Sequence, residues 1–348
     1  MTAAQQRILV IGPSWVGDMV LSQVLYRYLH DTRPGVRIDV LAPAWSAPLL
    51  ARMPEIHTAI DMPLDHGEVG LRTRRRIGRE LAQVKYDQAI VLPNSFKSAL
   101  VPFFAGITLR TGWRGEWRYG VLNDLRRLNE TALPQMAQRF LALGLERGAA
   151  LPEQIFPPVL HADAQHGEQV AREHGLDPQH SILALCPGAE FGPAKQWPPQ
   201  YFAQLADAFA VRGWQVVLLG SERDKAICAE VEAAMRDSSQ CRDLAARTSL
   251  AEAIDLLSLC RGAASNDSGL MHIAAALGIP QLALYGSTSP VFTPPLNPLA
   301  GLLREEIDCS PCFKRECPLG HHRCMQDLLP GPAITTLESL IREAGGKK

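Results

Sequence analysis

Short apolar runs closed by Gly, Pro or Asn recur along the chain and alternate with stretches of helical period. Residues 8–11 form one such run, ending at Gly12; beyond Gly17 the pairs Val20/Leu21, Val24/Leu25 and Tyr28/Leu29 recur every four residues. This spacing predicts a strand, a loop and an amphipathic helix. Residues 38–41 and 89–92 repeat the buried-strand pattern with a helix-compatible stretch between them, as a parallel sheet covered on both faces requires. In the second half, 181–185 and 215–219 read as buried strands around a helix over 201–211, where Phe202, Leu205, Ala206 and Phe209 share one side. Leu250, Ile254 and Leu257 mark a further helix, 263–264 a short strand, 270–277 a helix and 282–285 another strand.

Pro152, Pro157 and Pro158 fall in a stretch without period that reads as a connection between domains. The expected class is α/β, with two doubly wound Rossmann-like domains, 1–155 and 156–348, whose strand ends border a shared cleft. A terminal helix over 333–345 carries Leu337, Leu340 and Ile341 on one side and is expected to be able to pack back on the first domain.

Composition narrows the function classes. Lys plus Arg number 35 against 36 Asp plus Glu, a formal charge of −1, so general nucleic-acid coating is excluded and any anion site must be local. The longest apolar run, near 98–107, is about half of the roughly twenty residues a membrane span needs. The start lacks the basic and apolar regions of a leader, which places the chain in the cytoplasm. Eight cysteines in 348 residues are too few for a disulfide scaffold.

Four loops carry candidate chemistry. The first, Gly12-Pro13-Ser14-Trp15-Val16-Gly17-Asp18, fits neither the dinucleotide fingerprint nor the P-loop, because Pro13 and Ser14 break one and Asp18 stands where the other needs Lys. Asp18 suits a general base for a substrate hydroxyl and equally an N-terminal helix charge. The second, residues 186–198, is rich in Gly and Pro and holds Gly188, Ala189, Glu190 and Lys195. Its backbone N–H groups and Lys195 suit a diphosphate; a solvated loop lysine is the plain alternative. In the third, Asp267, Ser268, Gly269, Leu270 and His272 open a helix whose N-terminus suits an anion, with His272 either reaching that anion or merely packed. In the fourth, after the strand at 215–219, Glu222 or Asp224 suits ribose hydroxyls.

Residues 96–127 hold Lys97, Arg110, Arg114, Arg118, Arg126 and Arg127 against Glu116 and Asp124, a local charge of +4 interleaved with Trp113, Trp117 and Tyr119. Such a stretch suits an anionic sugar acceptor, and the lack of any nucleic-acid module argues against RNA or DNA. The run Arg72, Arg74, Arg75, Arg76 and Arg79 reads as the exposed side of a helix. Cys309, Cys312, Cys317 and Cys324, beside His321 and His322, present soft ligands suited to structural zinc or iron, with disulfides and free thiols as alternatives.

Taken together, residues 12–18, the segment Pro93-Asn94-Ser95-Phe96-Lys97-Ser98, residues 186–195 and residues 266–272 resemble glycosyltransferase family nine, the heptosyltransferases, with the similarity running from about Arg7 to Pro295. The resemblance implies a two-domain GT-B enzyme that inverts configuration and needs no catalytic cofactor. It implies transfer of heptose from ADP-heptose to the first heptose of the Kdo–lipid A inner core, at the cytoplasmic face of the inner membrane by peripheral contact. Carried over by motif, Asp18 is the general base. Ser14, Trp15, Asn94, Lys97, Arg114 and Arg118 serve the acceptor, while Lys195 and the turn from Asp267 to His272 hold the diphosphate and Asp224 the nucleoside. The cysteine cluster is a departure from the family pattern. The rival readings are a nucleotide-sugar epimerase of the same shape and a non-catalytic binding protein; a nicotinamide oxidoreductase is disfavoured by the absent fingerprint.

Overall fold

The structure, a computed structural model, describes residues 5–345 except His66. The leaderless start inferred above falls partly on residues 1–4, outside the described residues. The chain divides into two units, Met1–Pro158 and Val159–Lys348.

In the first unit the strands are β1 (Arg7–Ile11), β2 (Arg37–Ala42), β3 (Ile56–Asp61), β4 (Gln88–Val91), β5 (Leu109–Trp113) and β6 (Asp124–Arg126). The helices are α1 (Val16–Thr32), α2 (Ala47–Leu50), α3 (Leu71–Leu81), α4 (Leu100–Phe104) and α5 (Met136–Gly144). The sheet is parallel throughout, in the order β3-β2-β1-β4-β5-β6. Strand β1 is central, so Ile8, Leu9, Val10 and Ile11 are buried on both faces, which is why they form an unbroken apolar run. The edge strand β3 exposes His57, Thr58 and Ala59 and carries no such run.

The second unit repeats the plan. Its strands are β7 (Ile182–Cys186), β8 (Gln215–Leu218), β9 (Cys241–Asp243), β10 (Gly262–Asn266), β11 (Gln281–Tyr285) and β12 (Ala300–Arg304). Its helices are α6 (Ala164–Glu173), α7 (Pro199–Ala210), α8 (Lys225–Ala234), α9 (Leu250–Leu259), α10 (Gly269–Ala276), α11 (Arg323–Gln326) and α12 (Pro330–Gly345). The order β12-β11-β10-β7-β8-β9 is again all parallel and is the order of the first unit read in the opposite direction. Helix α12 lies against α7, β10, β11 and β12 of this second unit, and Ala333 and Leu337 are buried in its core. Within this unit, Leu282 and Leu284 supply an apolar partner surface for the helix.

In a doubly wound sheet the ligand crevice opens at the carboxyl ends of the strands where the winding direction reverses. Here that point lies between β1 and β4 in the first unit and between β7 and β10 in the second. The loops after those four strands hold most of the candidate residues.

One contact in the second unit carries a pH dependence. His166 Nδ1 lies 2.7 Å from Oδ2 of the buried Asp255, joining α6 to α9, and the hydrogen bond to Asp255 raises the histidine above its ordinary value. The charged form is the one the fold favours. Its stabilisation is therefore complete below the unfolded histidine value and is lost as pH rises through the raised folded value. Because His166 is partly exposed, the effect is small. Melting temperature should fall slightly between about pH 6 and pH 8 in the native protein, and the His166→Gln variant should lack that component. An unchanged slope in the variant would remove His166 from the explanation.

Candidate active site

The loop after β1 leads directly into α1. Trp15 is the N-cap residue, and Asp18 falls in the first helical turn, where the exposed N–H groups favour an anion. Ser14 and Trp15 are exposed and Asp18 is half-buried. The loop after β4 carries Asn94, exposed, and Lys97, half-buried, in a short 3₁₀ turn at Phe96–Ala99. Both loops lie at the switch point of the first sheet.

Arg118 departs from expectation. It was read as an acceptor ligand, yet it is fully buried and both its terminal nitrogens donate to the protein. Nη1 donates to the Pro93 carbonyl at 2.7 Å, and Nη2 donates to Asn94 Oδ1 at 3.3 Å and to the Trp113 carbonyl. Arg118 thus fastens the loop after β4 to the end of β5. It positions Asn94, and its remaining donor, Nε, is buried without a partner among the described residues. Arg118→Ala leaves those carbonyls without their charged donor and should cost about 2–3 kcal/mol, read as a lower denaturation midpoint; a change under about 0.5 kcal/mol would show the clamp to be idle.

The neighbours of Arg118 face outward. Trp117 is 85% exposed and lies edge-on to Tyr119, and the exposed Arg114 guanidinium lies 5.9 Å from the Tyr119 ring centre. In the arginine-rich α3, Arg72, Arg75, Arg76 and Arg79 are exposed as expected, and with Glu80 they border an open surface depression. Arg74 is not: it is buried, donating through Nε to the Val69 carbonyl at 2.6 Å.

The second switch point gathers the donor candidates. Gly188 is buried against the Asp224 carboxyl group, whose Oδ2 accepts from the Ser221 amide and hydroxyl, both at 2.8 Å. A Cβ on Gly188 would sit 2.3 Å from Asp224 Cγ, so only glycine permits this approach of the loops after β7 and β8. Ala189 is buried; Glu190 is exposed and engaged by Arg223.

Lys195 reaches the loop after β10. Its ammonium donates to Asp267 Oδ2 at 2.7 Å and to the Asp267 carbonyl at 3.2 Å. The same Oδ2 accepts from Thr288 Oγ1 at 2.6 Å. Asp267 would repel a phosphate, and its partners show its use: it is the buried counter-ion that fixes Lys195 at the start of α10. Ser268 is the N-cap of α10, its hydroxyl accepting from the Met271 amide at 3.4 Å, and the N–H groups of Gly269 and Leu270 occupy the first turn, where no intrahelical acceptor exists. His272 lies one turn inside, buried, with Nδ1 unpartnered among the described residues; burial pushes it down to about 4, so it is neutral at pH 7.

Thr288 escaped the sequence reading. It belongs to Gly286-Ser287-Thr288-Ser289 after β11, and a Ser/Thr-rich loop leaving a buried strand beside the switch point was the available signal.

The thiols divide by burial. Burial pushes Cys186 and Cys241 up to about 12 and raises Cys228 and Cys260 further, so none is a nucleophile. In the loop at 309–324, Cys309 Sγ lies 3.9 Å from His321 Nε2. Backbone N–H groups, foremost that of His322, hold the Cys317 thiol below its ordinary value. As arranged, no group of three or more His, Cys, Asp or Glu side chains among the described residues is placed to hold a metal ion. The thiols are the soft donors that zinc or iron takes, although they are not gathered around a common point among the described residues.

Two parallel doubly wound units, each with polar loops at its switch point, are the domain types of the GT-B fold. Comparison with known proteins carries this to a family. The model of glycosyltransferase family 9 (heptosyltransferase) matches residues 74–323. Lipopolysaccharide heptosyltransferase 2 of Salmonella typhimurium is 46% identical over 346 residues, covering 97% of this chain and 99% of its own. Lipooligosaccharide heptosyltransferase 2 of Haemophilus influenzae is 45% identical over 345 residues, with 96% and 99% covered. The solved structure of Escherichia coli ADP-heptose lps heptosyltransferase II is similar with a TM-score of 0.88 at 44% identity, covering 98% of this chain and 100% of that one. The chain belongs to glycosyltransferase family 9, as the four motifs indicated. Among the described residues no helix is long and apolar enough to cross a membrane.

Proposed function

We propose that the protein transfers heptose from ADP-L-glycero-β-D-manno-heptose to the first heptose of the Kdo–lipid A inner core, with inversion at the anomeric carbon. The first unit serves the acceptor and the second the donor. The Asp18 carboxylate takes the proton from the acceptor hydroxyl as its oxygen bonds to the anomeric carbon. The bond from that carbon to the diphosphate breaks, and ADP leaves with the electron pair. Lys195 and the first-turn N–H groups of α10 stabilise the charge gathering on ADP. Asp224 serves the nucleoside, and Gly188, Ala189 and Glu190 line the approach to it. Ser14, Trp15, Asn94, Lys97 and Arg114 serve the acceptor. Arg118 acts through Asn94.

The observation that carries the reading is Lys195 fixed at the N-terminus of α10, at the switch point of the second sheet. The sequence identity to the heptosyltransferases 2 supports the choice of donor and acceptor. The exposed Trp117, Tyr119 and Arg114 support peripheral contact with the cytoplasmic face of the inner membrane, with aromatics at headgroup level and a cation for anionic lipid.

ADP release should require donor and acceptor together. ADP-heptose incubated alone should yield neither ADP nor a new epimer; an epimer would favour the epimerase, and absence of turnover with both substrates would favour a binding protein. A structural metal at Cys309, Cys312, Cys317 and Cys324 is the remaining element of the reading. It rests on four thiols within sixteen residues. Elemental analysis of purified protein should find about one equivalent of zinc or iron per chain, and less than a tenth would dismiss it.

A further inference from the structure

The donor site described above has a charge deficit. Lys195 is matched by Asp267, and His272 is neutral, so these side chains together contribute no net positive charge to meet a diphosphate. The backbone N–H groups supply only partial charges.

A second cation stands on the same aromatic ring as Lys195. Lys195 Nζ lies 5.0 Å from the centre of the Phe191 ring, and the Arg315 guanidinium carbon lies 5.5 Å from that same centre. Arg315 is exposed and makes no ion pair among the described residues. Glu190, the acid beside Phe191, is engaged by Arg223.

The backbone that delivers Arg315 is fastened to the site's own loops. The Arg315 carbonyl accepts from the Ala194 amide at 3.0 Å, next to Lys195. Gly192 has a φ of +152°, and a Cβ there would meet the Arg315 carbonyl oxygen at 2.4 Å, so glycine is required for the contact. The Phe313 amide donates to the Ser287 carbonyl at 2.7 Å, and the Ser310 hydroxyl donates to the Gly286 carbonyl at 2.7 Å. Thus residues 310–315 are tied both to the loop bearing Lys195 and to the loop bearing Thr288.

We propose that Arg315 is a second phosphate-binding residue of the donor site, held over Phe191 by the cysteine-rich loop, and that it contacts the diphosphate of the donor and of departing ADP. This rests on the donor-site reading given above. The cysteine-rich segment then has a purpose in transfer without touching the sugar: it carries the uncompensated positive charge.

The test is calorimetric titration of ADP and of adenosine into the full-length protein, its Arg315→Ala and Arg315→Lys variants, and Lys195→Ala. Arg315→Ala keeps the backbone carbonyl that binds Ala194, and unchanged melting temperature would confirm an intact fold. ADP affinity should fall about tenfold, the loss of one charge-assisted contact, while adenosine affinity stays as in the native protein. Arg315→Lys should recover part of the loss, since the charge returns without the planar fork. Native ADP affinity in Arg315→Ala, with Lys195→Ala weakened, overturns this proposal alone. Native affinity in both variants overturns the donor-site reading as well. Equal loss of ADP and adenosine binding also overturns the proposal, because it signals a distorted nucleoside site.

Discussion

Asp18→Asn should lower kcat by about 10²–10⁴ while leaving ADP affinity within about twofold of native. The substitution keeps the size of the side chain and its place in the first turn of α1, and removes the basic oxygen. The anion also stabilises the helix start by about 0.3–1 kcal/mol, so melting temperature should shift by no more than a few degrees. A large fall in rate with a small fall in stability separates a base from a helix charge, the two roles that residue spacing left side by side. Steady-state kinetics with saturating donor supplies the number. Turnover within about threefold of native would leave Asp18 as a helix charge only.

The second large effect is expected at Lys195. Removing the ammonium in Lys195→Ala leaves Asp267, 5% exposed, with Thr288 as its remaining side-chain partner. An uncompensated buried charge of this kind costs about 3 kcal/mol. Turnover should also fall by about 10²-fold or more, as for loss of one donor to a developing anion. Because one substitution has two consequences, a second variant is needed to part them. Asp267→Asn combined with Lys195→Ala removes the orphaned charge, so more than half of the stability should return while turnover stays low. Recovery of both would make the pair purely structural. Chemical denaturation and ADP release, measured on the same preparations, distinguish the outcomes.

How much of this was legible in the sequence depended on where each residue sits in its sheet. Strands β1, β4, β7, β8 and β11 were read because they are buried on both faces, which leaves an apolar run; β2 keeps the pattern around the buried Asp39, and β10 shows it only at Ala263 and Ala264. The edge strands β3 and β12 face solvent with His57, Thr58 and Leu302 and lack that run, so pattern alone passed over them. The loops at the switch points were legible for a related reason: Gly12, Gly188 and Gly269 interrupt strand-to-helix passages where a ligand needs open backbone. Direction was not legible. Arg114 and Arg118 look alike in a basic run, yet one faces solvent and the other is locked by carbonyls of Pro93 and Trp113. The same holds for Arg74 among its exposed neighbours. The role of Asp267 as counter-ion, and the parts played by Thr288 and Arg315, depend on partners 72, 21 and more than a hundred residues distant, which no local pattern encodes.

The anomeric configuration of the product tests the central chemistry most directly. A single displacement, with Asp18 drawing the proton from the incoming hydroxyl and ADP leaving from the opposite face, must convert a β-linked donor into an α-linked heptose. NMR of the purified product, through its one-bond carbon–proton coupling at the new linkage, should therefore show the α configuration. A β linkage would require a covalent sugar–protein intermediate or a front-face mechanism, and either would contradict the role given to Asp18.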